Sequence, residues 1–229
     1  MSEQLPLALR WPAHQRFDSF VKGPNGAGVD FVRGAAMTGN PQDVFLAGPV
    51  GSGKTHLLIA ACAAASAESR SAQYLDLARY GSHRSDTIRR FGGSDILAVD
   101  NIQDVAGEHE AEHALFDLHN RCRAEGSTLI YAASDQATAL GLELPDLASR
   151  LSACTQWLLR PLEEAIRRRI VRDLASARGL DFDDAVLDWL FTRKARDLGA
   201  LVAQLDRIDR ATLAAQRRVT VPFLRNLDD

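Results

Sequence analysis

The chain has 229 residues, 46% hydrophobic and 25% charged, enough for one sizeable core or for a core domain with a small companion. No apolar run approaches the roughly 18 residues that span a bilayer, and the start MSEQLPLALR lacks the basic and apolar regions of a signal peptide, so a cytoplasmic location and no membrane contact are expected. Lys+Arg 27 against Asp+Glu 30 gives a net charge of -3, which is not the electrostatic footprint of a dedicated DNA-binding domain and leaves only local nucleic-acid contact, and the cysteines Cys62, Cys122 and Cys154 are odd in number and form no CxxC pair, so neither a disulfide framework nor a zinc knuckle is expected.

Residues 1–25 contain Pro6, Pro12 and Pro24 and show neither helical nor alternating period, so an extended arm is expected there. Val29, Phe31, Val32, Ala35 and Ala36 then cluster at mostly helical spacing until Gly39-Asn40-Pro41 stops the helix. DVFLAG, from Asp43 to Gly48, predicts a strand ending in glycine, and LLIAACAAASA from Leu57 predicts an alanine-rich helix. AQYLDL, DILAVD, STLIYAAS and CTQWLLR read as further strands, separated by a short helix near Asp86 to Phe91 and a long one from about Glu108 to Ala124. Strands alternating with helices imply an α/β fold with a central parallel sheet over residues 26–160. Beyond Pro161, EEAIRRRIVRDLASA, DDAVLDWLFTR and LGALVAQLDRIDRATLAAQ all read as helix, with Gly179 as a C-cap, so residues 161–229 are expected to form a small all-helical domain.

Gly48-Pro49-Val50-Gly51-Ser52-Gly53-Lys54-Thr55 matches the phosphate-binding pattern GxxxxGK(S/T) and sits between a predicted strand and a predicted helix, as that motif requires. Gly48, Gly51 and Gly53 let backbone N–H groups turn toward phosphate oxygens, Lys54 neutralises charge, and Thr55 can ligate Mg²⁺. Asp100, ending the apolar run Ile96-Leu97-Ala98-Val99, supplies the acidic partner for the Mg²⁺ water shell, so ADP or ATP with Mg²⁺ is the expected ligand. The next residue is Asn101, whose amide cannot accept a proton at neutral pH, so self-hydrolysis should be slow unless Asp104 or Glu108 supplies a base.

Two other patterns read as surface or core. His109-Glu110-Ala111-Glu112-His113 satisfies HExxH and His119 has third-ligand spacing, but Phe116 stands where zinc proteases need a helix-breaking glycine. On an unbroken helix His119 lies about 9 Å beyond His113 at ~1.5 Å per residue, too far to share a metal. Arg167-Arg168-Arg169 is flanked by Glu163, Glu164 and Asp173 at ion-pair spacing and reads as a salt-bridged helix face, while Trp157 and Trp189 read as core residues.

The chain resembles the DnaA-like AAA+ family over nearly its whole length, and most closely the Hda family of DnaA regulatory inactivators. DNIQDVAGEHE (Asp100 to Glu110), FDLHNR (Phe116 to Arg121), LPDLASRL (Leu144 to Leu151) and QLDRIDRATLAAQRRVTVPF (Gln204 to Phe223) carry the likeness. It implies a negative regulator of replication initiation whose partners are DnaA and the DNA polymerase III beta sliding clamp, with self-association and no strong direct DNA binding. Three features favour the inactivator: the chain ends where the initiator's DNA-binding domain would begin, Asn101 replaces a second aspartate, and Gln4-Leu5-Pro6-Leu7-Ala8-Leu9 is similar to a clamp-docking peptide, with Gln4, Leu5, Leu7 and Leu9 as its contact residues. The resemblance further assigns Asp135 as sensor I, Arg150 as an arginine finger acting in trans, and Arg196 as sensor II. On the residues alone, Arg150 could instead pair with Asp146, and Arg196 could be an exposed helix arginine. The alternative from a different class is an AAA+ ATPase acting in its own right, as a helicase loader or transposition helper. A clamp-binding protein with a degenerate nucleotide pocket is a third reading.

Overall fold

A computed structural model describes residues 11, 12, 14–38, 42–193, 198–215 and 219–228. The chain divides into two compact units, one made of residues 1–49 and 53–160 and the other of Val50–Ser52 together with residues 161–229. Among the described residues no helix is long and apolar enough to cross a membrane.

The first unit is a five-stranded, fully parallel sheet in the order β2-β3-β4-β1-β5, with β1 Val44–Ala47, β2 Ala72–Asp76, β3 Ile96–Asp100, β4 Thr128–Ala133 and β5 Thr155–Leu158. Both sheet faces are covered, which is why β1, β3 and β4 are buried at every position rather than at alternate ones. Their side chains still alternate between two cores. Leu97 and Val99 pack with Leu115, Leu118 and Tyr131 on one face, while Ile96 and Ala98 pack with Val32, Leu57 and Leu58 on the other. Helices α1 (Gly26–Met37) and α2 (Lys54–Ala67) contribute to the second core, and α3 (Arg84–Arg89), α4 (His109–Ala124) and α5 (Pro145–Ala153) to the first.

The described part of the arm, residues 11, 12 and 14–25, differs from the extended segment expected. Turns and a bend occupy residues 14–19, a short 3-10 turn spans Gly23–Asn25, and Phe17 is buried against the α1/α2 core. The indole of Trp11 donates to Ser66 Oγ at 3.0 Å, and the Asn25 side chain closes a two-point clamp on the Arg160 backbone at 2.8 and 2.9 Å. Aromatic side chains in an aperiodic segment gain more by burial than the chain loses in ordering, and no hydrophobic period is needed for that.

The second unit is helical: α6 Glu164–Ala177, α7 Asp184–Arg193, α8 Leu198–Ala215 and α9 Val221–Asp228. Val171, Val186, Leu190, Leu201, Leu205, Ile208 and Leu224 form its core, and Trp189 is buried in it. α6 ends in a Schellman turn: Gly179 at φ +73° lets its own N–H reach Ser176 O and that of Leu180 reach Ala175 O, each at 2.9 Å. The basic run is a salt-bridged face, with Arg168 contacting Glu164 at 3.1 Å and Asp188 at 2.6 Å, and Arg169 lying 3.8 Å from Asp173.

Candidate nucleotide site

The turn between β1 and α2 follows from its glycines. Gly51 and Gly53 take φ +82° and +94°, values that L side chains rarely adopt, and Gly53 is the N-cap of α2. The helix therefore starts at Lys54, three residues before the expected Leu57, and Lys54 and Thr55 lie in its first turn. A Cβ at Gly53 would stand 2.6 Å from the Phe20 ring, so the arm and the loop fit together only through glycine. The Lys54 ammonium lies on the loop's own carbonyls, 2.6 Å from Gly48 O and 3.0 Å from Pro49 O.

Asp100 is 1% exposed at the end of β3. Its Oδ2 accepts from Thr55 Oγ1 at 2.6 Å and from the Tyr74 hydroxyl at 3.0 Å, and its Oδ1 accepts from the Asn101 N–H at 3.0 Å. Burial pushes the Asp100 pKa above the usual carboxylate range, against the pull of these donors. Burial first, and then the Asp100 charge, raise the Tyr74 phenol, which keeps it a donor. A hydroxyl and a carboxylate are the hard oxygen ligands that Mg²⁺ takes, and a loop of left-handed glycines exposes N–H groups suited to phosphate. The Ser52 hydroxyl, buried without a hydrogen-bond partner among the described residues, is one more donor on that loop. This donor set fits a Mg²⁺-bound phosphate chain.

Other candidate residues fall at strand ends or on exposed helix faces. Asp135 is exposed just beyond β4, and its Oδ1 accepts from the Gln136 N–H at 2.9 Å. Arg150 is exposed on α5, and among the described residues it forms no ion pair, with Asp146 or with any other carboxylate. Arg196 and the peptide Gln4, Leu5, Leu7 and Leu9 lie outside the described residues. Of the two carboxylates weighed as bases, Glu108 is taken by the Arg84 guanidinium, and Asp104 sits in the 3-10 turn Ile102–Val105.

Among the described residues no group of three His, Cys, Asp or Glu side chains is placed so that it could hold a metal ion. His119 is buried, with Nδ1 2.9 Å from the Tyr131 hydroxyl, and Glu110 pairs with Arg89 at 2.8 Å. Glu112 has a role that its neighbours in sequence do not reveal. Fully buried, it accepts from the N–H groups of Gly107 (2.8 Å), Glu143 (3.1 Å) and Leu144 (2.7 Å), and so ties the start of α4 to the segment leading into α5. Glu112→Gln would turn an amide N–H₂ toward one of these donors. We expect a loss of about 1–3 kcal/mol, or about 2–4 °C in melting temperature per kcal/mol, readable by thermal unfolding.

Two histidines make stability depend on pH. Burial lowers the pKa of His56, whose Nε2 lies 2.9 Å from Arg16 O, and of His119. A histidine held neutral when folded contributes stability that is full above its unfolded pKa of about 6.5 and is lost as pH falls from there through the lower folded value. The melting temperature should therefore drop between pH 7.5 and 5.5, and the slope should flatten in His56→Gln and in His119→Gln.

Residues 12–160 match the family model of the bacterial DnaA ATPase domain, and residues 163–227 match that of the Hda lid domain. The chain belongs to the DnaA-like AAA+ family. An uncharacterized protein of Haemophilus influenzae is 32% identical over 228 residues, which cover 99% of each chain. Domain III of the replication initiation protein DnaA from Thermotoga maritima superposes with a TM-score of 0.78 at 20% identity, covering 95% of this chain and 97% of that one. AMPPCP-bound DnaA from Aquifex aeolicus gives a TM-score of 0.67 at 20% identity, covering 89% of this chain and 66% of that one. The DnaA-like AAA+ fold thus accounts for the parallel sheet, and the Hda-type lid for the helical second unit.

Proposed function

We propose that this DnaA-like AAA+ protein is a negative regulator of bacterial replication initiation. It binds ADP or ATP with Mg²⁺ through the glycine loop, Lys54, Thr55 and Asp100. Gln4, Leu5, Leu7 and Leu9 dock on the DNA polymerase III beta sliding clamp, and Arg150 enters the nucleotide site of ATP-bound DnaA and stimulates hydrolysis there. Asp135 and Arg196 act as sensors of the chain's own nucleotide. The family match, a DnaA ATPase domain followed by an Hda lid, supports a DnaA-related replication regulator. The observation that carries the finer reading is the state of Arg150: exposed on α5 and with no carboxylate partner among the described residues, its charge is available to another molecule. Asn101 in place of a carboxylate agrees with a chain that stimulates hydrolysis elsewhere.

The test is reconstitution by omission. With this chain, DNA-loaded clamp and ATP-bound DnaA all present, phosphate release should rise well above the DnaA basal rate, and leaving out either the chain or the clamp should return it to that rate. Release that is unchanged when the chain is left out would reject the regulator reading. Robust ATP turnover by the chain alone would favour the helicase-loader class instead.

A further inference from the structure

The ends of β2, β3 and β4 are joined by a polar relay that none of the assigned roles uses. Asp76 ends β2 in register with Asp100, and its side chain is 15% exposed. Its Oδ1 accepts from Asn101 Nδ2 at 2.8 Å; Asn101 Oδ1 accepts from Gln103 Nε2 at 3.1 Å; and Gln103 Oε1 accepts from the Ser134 N–H at 3.1 Å. The carboxylate fixes the order of the whole chain of bonds. Asp76 can only accept, so the Asn101 N–H₂ must face it and the Asn101 carbonyl must face Gln103. Asn101 itself sits at φ +60°, a left-handed conformation that asparagine and aspartate tolerate better than other side chains. Arg79 Nε, 2.8 Å from Asp76 Oδ2, holds the other carboxylate oxygen.

We propose that Asp76 is a positioning residue of the nucleotide site, the acidic half of an acid–amide pair that holds Asn101 and, through Gln103, the backbone leading to Asp135. The inference deepens the nucleotide reading above and rests on it. In this pair the acid stands on β2 and the amide follows Asp100. A group beside Asp100 is thereby kept oriented but unable to take a proton. Hydrolysis of a bound nucleoside triphosphate forms a bond from a water oxygen to the γ-phosphorus and breaks the bond to the β,γ-bridging oxygen, whose electron pair leaves on the diphosphate. The proton released by the water needs an acceptor, and an amide at position 101 is none. Exchanging the two side chains keeps the bonds that run from position 76 to Ser134, with the donor now on β2, and puts a carboxylate after Asp100; the bond that Asp76 Oδ1 accepts from the Ala78 N–H at 3.2 Å is given up.

The experiment compares the intact chain with D76N, N101D and D76N/N101D. Binding of a fluorescent ADP analogue, thermal unfolding and basal phosphate release from ATP are measured for each. N101D alone should lower the melting temperature, because two carboxylates then face each other where one hydrogen bond stood and the backbone still accepts aspartate. The double variant should recover part of that loss, and its basal release should exceed that of the intact chain by about tenfold or more, the full effect of a well-positioned base being roughly 10²–10⁴. D76N alone should show no such gain, which separates positioning from a loosened fold. If the double variant binds the analogue normally but releases phosphate no faster than the intact chain, or if N101D melts where the intact chain does, the pair proposal is overturned while the nucleotide reading stands. Failure of all four proteins to bind the analogue overturns the nucleotide reading and this proposal with it.

Discussion

Arg150→Ala should abolish stimulated hydrolysis of DnaA-bound ATP while leaving clamp association and the fold intact. A guanidinium delivered in trans to a phosphoryl-transfer transition state is worth about 10³–10⁵ in rate, or roughly 4–7 kcal/mol of barrier. No other single side chain is assigned an effect of that size. Structural damage should be slight, because Arg150 is exposed on α5 and pairs with no carboxylate among the described residues, and its flanking anchors Leu147 and Leu151 stay buried. Surface substitutions of that kind usually move stability by no more than about 0.5 kcal/mol. Arg150→Lys should recover little, since an ammonium keeps the charge but not the planar fork that grips phosphate oxygens from two directions. Phosphate release and clamp pull-down, run on the same preparations, check the two halves of this expectation. Stimulation that survives in Arg150→Ala would remove the finger assignment.

Deleting residues 1–9 should cost clamp association and, with it, hydrolysis on clamp-bound DNA. Leu5, Leu7 and Leu9 are apolar groups on one short peptide, and full burial of a leucine side chain is worth about 1.5–3 kcal/mol. Even half of that over three residues weakens binding on the order of a hundredfold. The deletion stops short of Trp11, whose indole is bonded to Ser66, and of Phe17 in the α1/α2 core, so the packed part of the arm keeps its own anchors. Normal thermal unfolding together with lost pull-down is the expected pair of results. Pull-down that persists would place the clamp contact elsewhere on the chain.

What could be read from sequence was what is local in sequence. The glycine loop is eight consecutive residues, and Asp100 ends a five-residue apolar strand, so both the loop and its acidic partner are visible without a fold. The strands β1, β3 and β4 are legible for the same reason: each is buried on both faces and therefore uninterrupted by polar residues. Glu112 was not legible, because two of its three partners, Glu143 and Leu144, lie 31 and 32 residues away. The same holds for Asp76 and Asn101, 25 residues apart and adjacent only once β2 and β3 pair. α5 is nine residues long with just Leu147 and Leu151 buried, too short for a helical period to stand out, although the family likeness over LPDLASRL drew attention to it. The packing of residues 11, 12 and 14–25 follows from aromatic anchors in a segment whose prolines suggest extension.

In the proposed reaction the released phosphate originates on DnaA. A single-turnover measurement settles this when DnaA is preloaded with ATP labelled at the γ-phosphate, this chain carries unlabelled ADP, and both meet on DNA-loaded clamp. We expect rapid release of label with the intact chain and release at the DnaA basal rate with Arg150→Ala. Label that leaves rapidly only when it is loaded on this chain, or leaves DnaA equally fast with Arg150→Ala, would contradict the account.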